Sequence, residues 1–190
     1  MNLLRLMLSS TLMTVCASTH AQTVKFIDNK GTLRNLELGI GNIAELYDAT
    51  GGQTINEGVF SDINFNSPGI VDLEDFSTNT NTNTNTITIL TPGRYEVTYR
   101  VTTETTNNER NGGEFYLQVA GTESPGTRAY TYSRNNLNNK NTVTVIKIIK
   151  ITMNTAIKVR GRVYASSKSG TNSTLNMALN GSSLIIKRIK

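Results

Sequence analysis

Three carboxylates fall within four residues in the stretch Val71-Asp72-Leu73-Glu74-Asp75-Phe76, and groups of this type at this spacing can do two kinds of chemistry. Paired carboxylates divide the acid and base roles of glycoside hydrolysis. On an extended strand, Asp72 and Glu74 would point to one side and, with Asp62 or a carbonyl, offer calcium the oxygen ligands it requires. No EF-hand spacing frames them. The plainer reading makes them the wet face of an edge strand whose Val71, Leu73 and Phe76 touch the core, and on that reading no catalytic, cofactor-binding or metal-binding residue is assigned.

Lys158, Arg160 and Arg162 stand two apart, opposite Ile157, Val159 and Val163, which puts three cations on one side of a strand. Like charges side by side are unfavourable unless an anion or an acidic neighbour compensates them. The stripe is therefore a candidate surface for acidic glycans or an acidic partner, against the alternative of a solvated outer face. Tyr130-Thr131-Tyr132 with Tyr116 could stack on a sugar, or fill a core or a seam between subunits.

Other chemistries fail for want of residues. Met1 to Ala21 reads as an export signal: Arg5, the apolar run Leu6–Val15, then small residues ending at Thr19-His20-Ala21. A lipoprotein reading at Cys16 is disfavoured by Val15, where a lipobox has a small residue. Cleavage after Ala21 removes the single histidine and the single cysteine, and with them catalytic triads, histidine acid–base work, zinc sites and disulfides. The run is too short to span a bilayer and none later is longer, so the expected mature chain is secreted, without a transmembrane segment. Without Arg5, 18 basic residues face 14 acidic ones, a charge of about +4. Many of these cations lie in the last third, but without interleaved aromatic stacking positions they do not suit nucleic acid. The sequons at Asn172 and Asn180 matter only in a host that glycosylates them.

These groups must be positioned by strands. In Thr91-Pro92-Gly93-Arg94-Tyr95-Glu96-Val97-Thr98-Tyr99-Arg100-Val101-Thr102 the period is two, with Tyr95, Val97, Tyr99 and Val101 on one side. That row belongs to a core or to a subunit seam. Further strands are expected near 58–65, 87–91, 94–103, 114–120, 128–133, 142–152, 156–165, 174–179 and 182–189, with no helical period between them. This rhythm predicts an antiparallel sandwich or barrel. Over 142–152 the apolar set switches from Val143 and Val145 to Ile146 and Ile148, which predicts a bulge or a strand covered on both faces. Upstream, Leu36, Ile40, Ile43 and Tyr47 fit one side of a short helix that Gly39 and Gly41 weaken, so the segment is helical or extended according to what it packs on. Asp48 to Gly52 reads as a linker. The Thr-Asn alternation from Thr78 to Thr86 reads as a polar loop or strand margin rather than an ice-binding array.

The strand from Pro92 to Val101 resembles the "PGxYxVxYxV" strand of complement C1q-like and tumour-necrosis-factor-like jelly rolls. The order around it is similar: Phe60–Phe65 like a first strand, Asn85–Ile89 running into the turn, Glu114–Val119, two long strands around Val145 and Val159, and the closing strand Gly181–Ile189. Bacterial relatives of this kind, at the C-termini of collagen-like spore-surface proteins, are similarly rich in Thr and Asn. No Gly-X-Y repeat precedes the domain here. The resemblance implies an all-β, antiparallel two-sheet jelly-roll sandwich over residues 58–190. Ahead of it stand the signal, 1–21, and an extension and linker, 22–57. It also implies a compact homotrimer in which one sheet of each subunit faces its neighbours.

The expected function is that of a secreted or surface-displayed, non-enzymatic trimeric structural or recognition module of a bacterial surface, without cofactor. Its partners would be copies of itself and a glycan or surface-protein ligand. Two alternatives stay open: a pilus-like filament subunit donating a strand from residues 24–47, and a carbohydrate-binding jelly roll.

Overall fold

Residues 22–27, 33–38, 42–79, 85–105, 110–133, 139–166 and 174–189 are described by a computed structural model. The expected signal with Cys16 and His20, Asn172, and Thr80–Thr84 of the Thr-Asn tract lie outside the described residues. The chain divides after Ile40. In the first unit, β1 (Gln22–Ile27) pairs antiparallel with β2 (Leu33–Leu38) in a two-stranded hairpin.

The second unit is built from strands throughout its described length. They are β3 (Ile43–Tyr47), β4 (Thr54–Asn56), β5 (Ser61–Asp62), β6 (Ser67–Val71), β7 (Phe76–Thr78), β8 (Ile87–Ile89), β9 (Gly93–Glu104) and β10 (Asn111–Val119). There follow β11 (Thr122–Glu123), β12 (Ala129–Ser133), β13 (Lys140–Ile151), β14 (Thr155–Ser166), β15 (Thr174–Met177) and β16 (Ser183–Ile189). One sheet runs β4-β15-β9-β16-β3-β6, with β13 on the other side of β9; we call it the β9 sheet. The other runs β11-β10-β14-β8-β7, with β12 on β10 and β5 on β14; we call it the β10 sheet.

The period-two stretch is the centre of this arrangement. Tyr95, Val97, Tyr99 and Val101 of β9 are almost completely buried between the sheets with Phe115 and Leu117 of β10 and Ile157, Val159 and Val163 of β14. The Tyr95 hydroxyl returns to the carbonyl of Thr91 at 2.8 Å, which locks the Pro92-Gly93 corner where the strand starts. Tyr99 reaches further: its hydroxyl donates to the carbonyl of Thr127 at 2.6 Å, on the loop before β12. Burial pushes that hydroxyl's pKa well up, with the Glu123 charge adding to it, so it stays a donor. Gly161 lets Phe115 into the core, since a Cβ there would stand 2.6 Å from two of its ring atoms.

Three expectations need correction, and one left open is decided. Ile43–Tyr47 takes the extended form of the two that were open: Ala44 and Leu46 are fully buried as β3 pairs with β16 and β6. The 48–52 linker is a turn inside the sandwich, held by Asp48 Oδ1 accepting from the amides of Thr50 and Gly51, so the second unit takes in residues well before Gly58. The strand expected at 58–65 shrinks to Ser61–Asp62, because Gly58 has a left-handed backbone and the Gln53 side chain takes the carbonyl of Asp62 and the amide of Asn64. The stretch 71–76 is a turn, closed from the Phe76 amide to the Asp72 carbonyl at 3.0 Å. It throws Leu73 out to 75% exposure and turns Asp75 inward to 1%.

Along β13 there is no bulge. It pairs with β9 over twelve residues without a register shift, so Val143, Val145 and Ile149 point inward while Ile146 and Ile148 point out. Tyr99 provides the test of this core. Tyr99→Phe keeps the packing but loses the donor and should cost about 1 kcal/mol in urea unfolding, whereas Tyr99→Asp should abolish folding; an unchanged melting temperature in the latter would refute the burial.

Candidate functional site

Strand parity decides which side chains meet on the outer face of the β10 sheet. With Phe115 and Leu117 committed to the core, Glu114 and Tyr116 point outward from β10. The neighbouring β14 presents Lys158, Arg160, Arg162 and Tyr164 on the same side. Each cation of the expected stripe meets a carboxylate of its own chain. Lys158 Nζ lies 2.9 Å from Asp62 Oδ2, and Arg160 Nε lies 3.0 Å from Asp62 Oδ1, without the alignment of a hydrogen bond. Arg162 Nε donates to Glu114 Oε2 at 2.6 Å. The acidic neighbour that three adjacent cations call for is thus supplied from within the chain.

Glu114 is the hub. It is only 3% exposed although it stands on an outward face, because Arg162 covers one oxygen and Arg128 binds the other. Arg128 also engages Glu123, its Nε donating at 3.0 Å. Phe60 lids the group: the Arg162 guanidinium is 4.4 Å and the Arg128 guanidinium 5.6 Å from its ring centre, and Tyr116 meets it edge-on at 4.8 Å. Burial raises the Glu114 pKa, but the hydrogen bonds and charges of Arg162 and Arg128 outweigh it and hold the carboxyl below the ordinary range. A carboxylate so held is a structural anion and a poor general acid.

Tyrosines border this hub. Tyr116, with 8% exposure, is packed under Phe60, whereas Tyr130 at 54%, Tyr132 at 48% and Tyr164 at 43% reach solvent. Tyr130 and Tyr132 share a side of β12, and Tyr164 arrives from β14, two strands away. Tyr164 crosses that distance over Gly112: a Cβ on Gly112 would stand 2.3 Å from a carbon of the Tyr164 ring. The register shifts between Gly112 and Gly113 at the same point. The crossing brings the Tyr164 ring edge-on to Tyr130, centres 5.1 Å apart at 73°.

The carboxylate cluster comes apart in space. Asp72 Oδ1 accepts the Glu74 amide and caps its own turn at 3.1 Å. Asp75 goes into the end of the sandwich, where Asn42 Nδ2 donates at 2.7 Å, Arg188 Nη1 stands 3.0 Å from both oxygens and the Thr91 hydroxyl donates to it. Burial raises the Asp75 pKa, and the bonds from Thr91, Asn42 and Arg188 more than reverse it. Asp62, invoked as a third calcium ligand, is engaged with β14 instead. No group of three potential metal-ligating side chains occurs among the described residues. Sequence reasoning missed Phe60, Arg128, Glu114 and Tyr164. The last three carried a signal in their outward parity, but Phe60 falls in the part of the strand expected at 58–65 that is irregular in the structure.

The second outward surface belongs to the β9 sheet. Cross-strand register sets Ile146 beside Thr98 and Ile185, and Ile148 beside Glu96, Lys187 and Ile43. Ile146 and Ile148 are 63% and 60% exposed, on a strand whose only ladder partner among the described residues is β9. No described helix is long and apolar enough to cross a membrane.

No family model and no curated protein matches the chain. Solved structures do resemble it. Murine APRIL at pH 5.0 superimposes with a TM-score of 0.52 at 10% identity, covering 78% of this chain and 99% of that one. The Eiger TNF of S. frugiperda gives a TM-score of 0.50 at 9% identity over 79% and 93%, and the globular domain of zebrafish complement 1qA gives 0.48 at 13% over 78% and 98%. The first two show that the fold is a tumour-necrosis-factor-type jelly roll, the class expected from the Pro92–Val101 strand.

Two outcomes follow from these networks. Asp75 and Glu114 have folded pKa values below their unfolded ones, so the stability they contribute is complete above the ordinary carboxylate values of 3.8 and 4.5. It is lost as pH falls through the lower folded values. Asp75→Asn should therefore cost about 2 kcal/mol at pH 7 in urea unfolding, with the gap to wild type closing in acid below pH 4. A gap independent of pH would exclude the ionised pair. EDTA should leave the melting temperature unchanged, and a fall of several degrees would instead restore a calcium site to the acidic stretch.

Proposed function

We propose that the chain is a non-enzymatic, exported module that assembles as a homotrimer and serves recognition or structure at a bacterial surface. The observation that carries it is the β13 edge strand, which holds Ile146 and Ile148 side by side in water on an otherwise regular sheet face. Covering an isoleucine is worth about 1.5–3 kcal/mol, and two neighbouring ones on a rigid face form the centre of an apolar patch that a partner surface stabilises. Tyr47, 38% exposed on β3, lies on the same side of the sheet, at the register position of Ser183 and Arg100.

A closed ring suits this surface. The patch lies near one edge of the sheet and is not self-complementary across a two-fold axis, since Arg94 and Lys150 flank it at one end and Arg100 at the other. A heterologous contact that closes in a ring buries it in every copy. On this reading the outward side of β9, with Glu96 and Thr98, faces a neighbouring subunit rather than solvent. The fold's similarity to murine APRIL and Eiger TNF supports the architecture of such a module, and the engaged state of Glu114, Asp62 and Asp75 supports a role other than catalysis.

The filament alternative is weakened where its donor strand ends. Strand donation from 24–47 would use Ile43–Tyr47, which already lies between β16 and β6 of its own sheet.

Light scattering after size exclusion of Gln22–Lys190 should give one species with the mass of three chains. The double variant Ile146→Lys, Ile148→Lys should shift it to one chain while keeping the all-β circular dichroism spectrum. A monomeric wild type would refute the trimer, and a mass that grows with concentration would return the filament.

A further inference from the structure

We infer that Tyr130, Tyr132 and Tyr164 form a binding site for uncharged glycans on the outer face of the β10 sheet. This inference does not rest on the trimer, because it uses the face opposite to Ile146 and Ile148.

The chain has seven tyrosines. Tyr95 and Tyr99 fill the core and Tyr116 lies under Phe60, whereas Tyr130, Tyr132 and Tyr164 stand about half exposed on one outward face. Their placement is constructed rather than incidental. The two on β12 point the same way by strand alternation, and the third is brought to them across a glycine that leaves room for its ring. Tyr130 is further fixed by the edge of Tyr164 and by its hydroxyl, 3.4 Å from Glu114 Oε1. Rings held on strands bind without the entropy cost of ordering a loop.

The charge pattern selects the occupant. Beneath the patch, both oxygens of Glu114 are taken by Arg162 and Arg128, and Arg128 is shared with Glu123. The base of the site is thus closed on itself and offers an acidic polymer little attraction. What remains is a surface of aromatic faces with hydroxyl tips, apolar in body and polar at the edge. A pyranose is the matching ligand: its C–H face stacks on a ring while its hydroxyls meet the phenol oxygens and water. An aliphatic protein partner would leave those hydroxyls desolvated at a cost. Two rings along β12 and a third beside them would seat consecutive sugars of a chain, giving preference to polymers over monosaccharides.

The test uses native affinity electrophoresis of the full chain in gels containing hydroxyethyl cellulose, glucomannan, xylan or dextran, with alginate as the anionic control. At least one neutral polymer should retard the wild type, and alginate should not do so more strongly. Tyr130→Ser with Tyr132→Ser should lose at least tenfold in apparent affinity while melting temperature and solution mass are unchanged. Because the chain has no tryptophan, its tyrosine emission gives a second readout: the neutral polymer that retards the protein should alter it, and the double variant should lose the response. Retardation by alginate alone, by no neutral polymer, or to the same extent in wild type and variant would overturn the site. So would a variant whose mass falls, which would make the patch a subunit seam.

Discussion

The structure hangs on two tyrosine rings that cross between its sheets. Tyr95 and Tyr99 rise from β9 into the opposite sheet, the first meeting Phe76 edge-on at 5.8 Å and the second reaching the carbonyl of Thr127. A ring that deep in a core must satisfy its hydroxyl or lose more than the bond is worth, so each tyrosine fixes a segment far from it. Tyr95 pins the Pro92-Gly93 corner. Tyr99 pins the loop before β12, whose Thr127 hydroxyl in turn donates to the Ser124 carbonyl and accepts the Leu117 amide. The sheets are thereby held in register by hydrogen bonds as well as by packing, and the outer surface inherits that register.

Because the core side of each strand is fixed, the outward side is fixed too. Phe115 inward sends Glu114 outward, Val163 inward sends Arg162 and Tyr164 outward, and Val145 inward sends Ile146 outward. The two outer faces then diverge in chemistry. On the β10 sheet, opposite charges compensate one another and leave tyrosines at the surface, whereas on the β9 sheet two isoleucines are left uncovered by the chain itself. A surface whose charges are matched internally suits neutral ligands, and a surface with unmatched apolar area suits a protein neighbour.

Much of this was legible in the sequence, for reasons that identify what was not. Period two marks a strand buried on one side, so β8, β9, β10, β12, β13, β14, β15 and β16 fall where alternation placed them, within a few residues. Alternation missed β4, β6, β7 and β11, each short and flanked by turns, and it overextended β5, which keeps only Ser61–Asp62 of the strand expected at 58–65. Ile43–Tyr47 stayed open for a different reason: its apolar residues fit a helical spacing as well, and only pairing with β16 decides between them. The acidic stretch was read as a strand face because sequence proximity was taken for spatial proximity, yet one turn sends Asp75 to Arg188, 113 positions away, and leaves Asp72 capping the turn.

The same limit explains the outer face. Lys158, Arg160 and Arg162 form a stripe in the sequence, and the stripe exists, but its meaning depends on residues that no local window contains. Asp62 comes to Lys158 from 96 positions away and Glu114 to Arg162 from 48. Once those partners are in place, each cation is engaged within the chain, and Arg162 fixes how firmly Glu114 is held. Charge runs along a strand therefore report geometry reliably and ligand preference poorly, since the compensating charge comes through long-range pairing. The tyrosines carry the opposite balance. Their chemistry needs no partner to be expressed, so once Gly112 admits the ring of Tyr164 to the patch, the local sequence and the long-range fold specify the same surface.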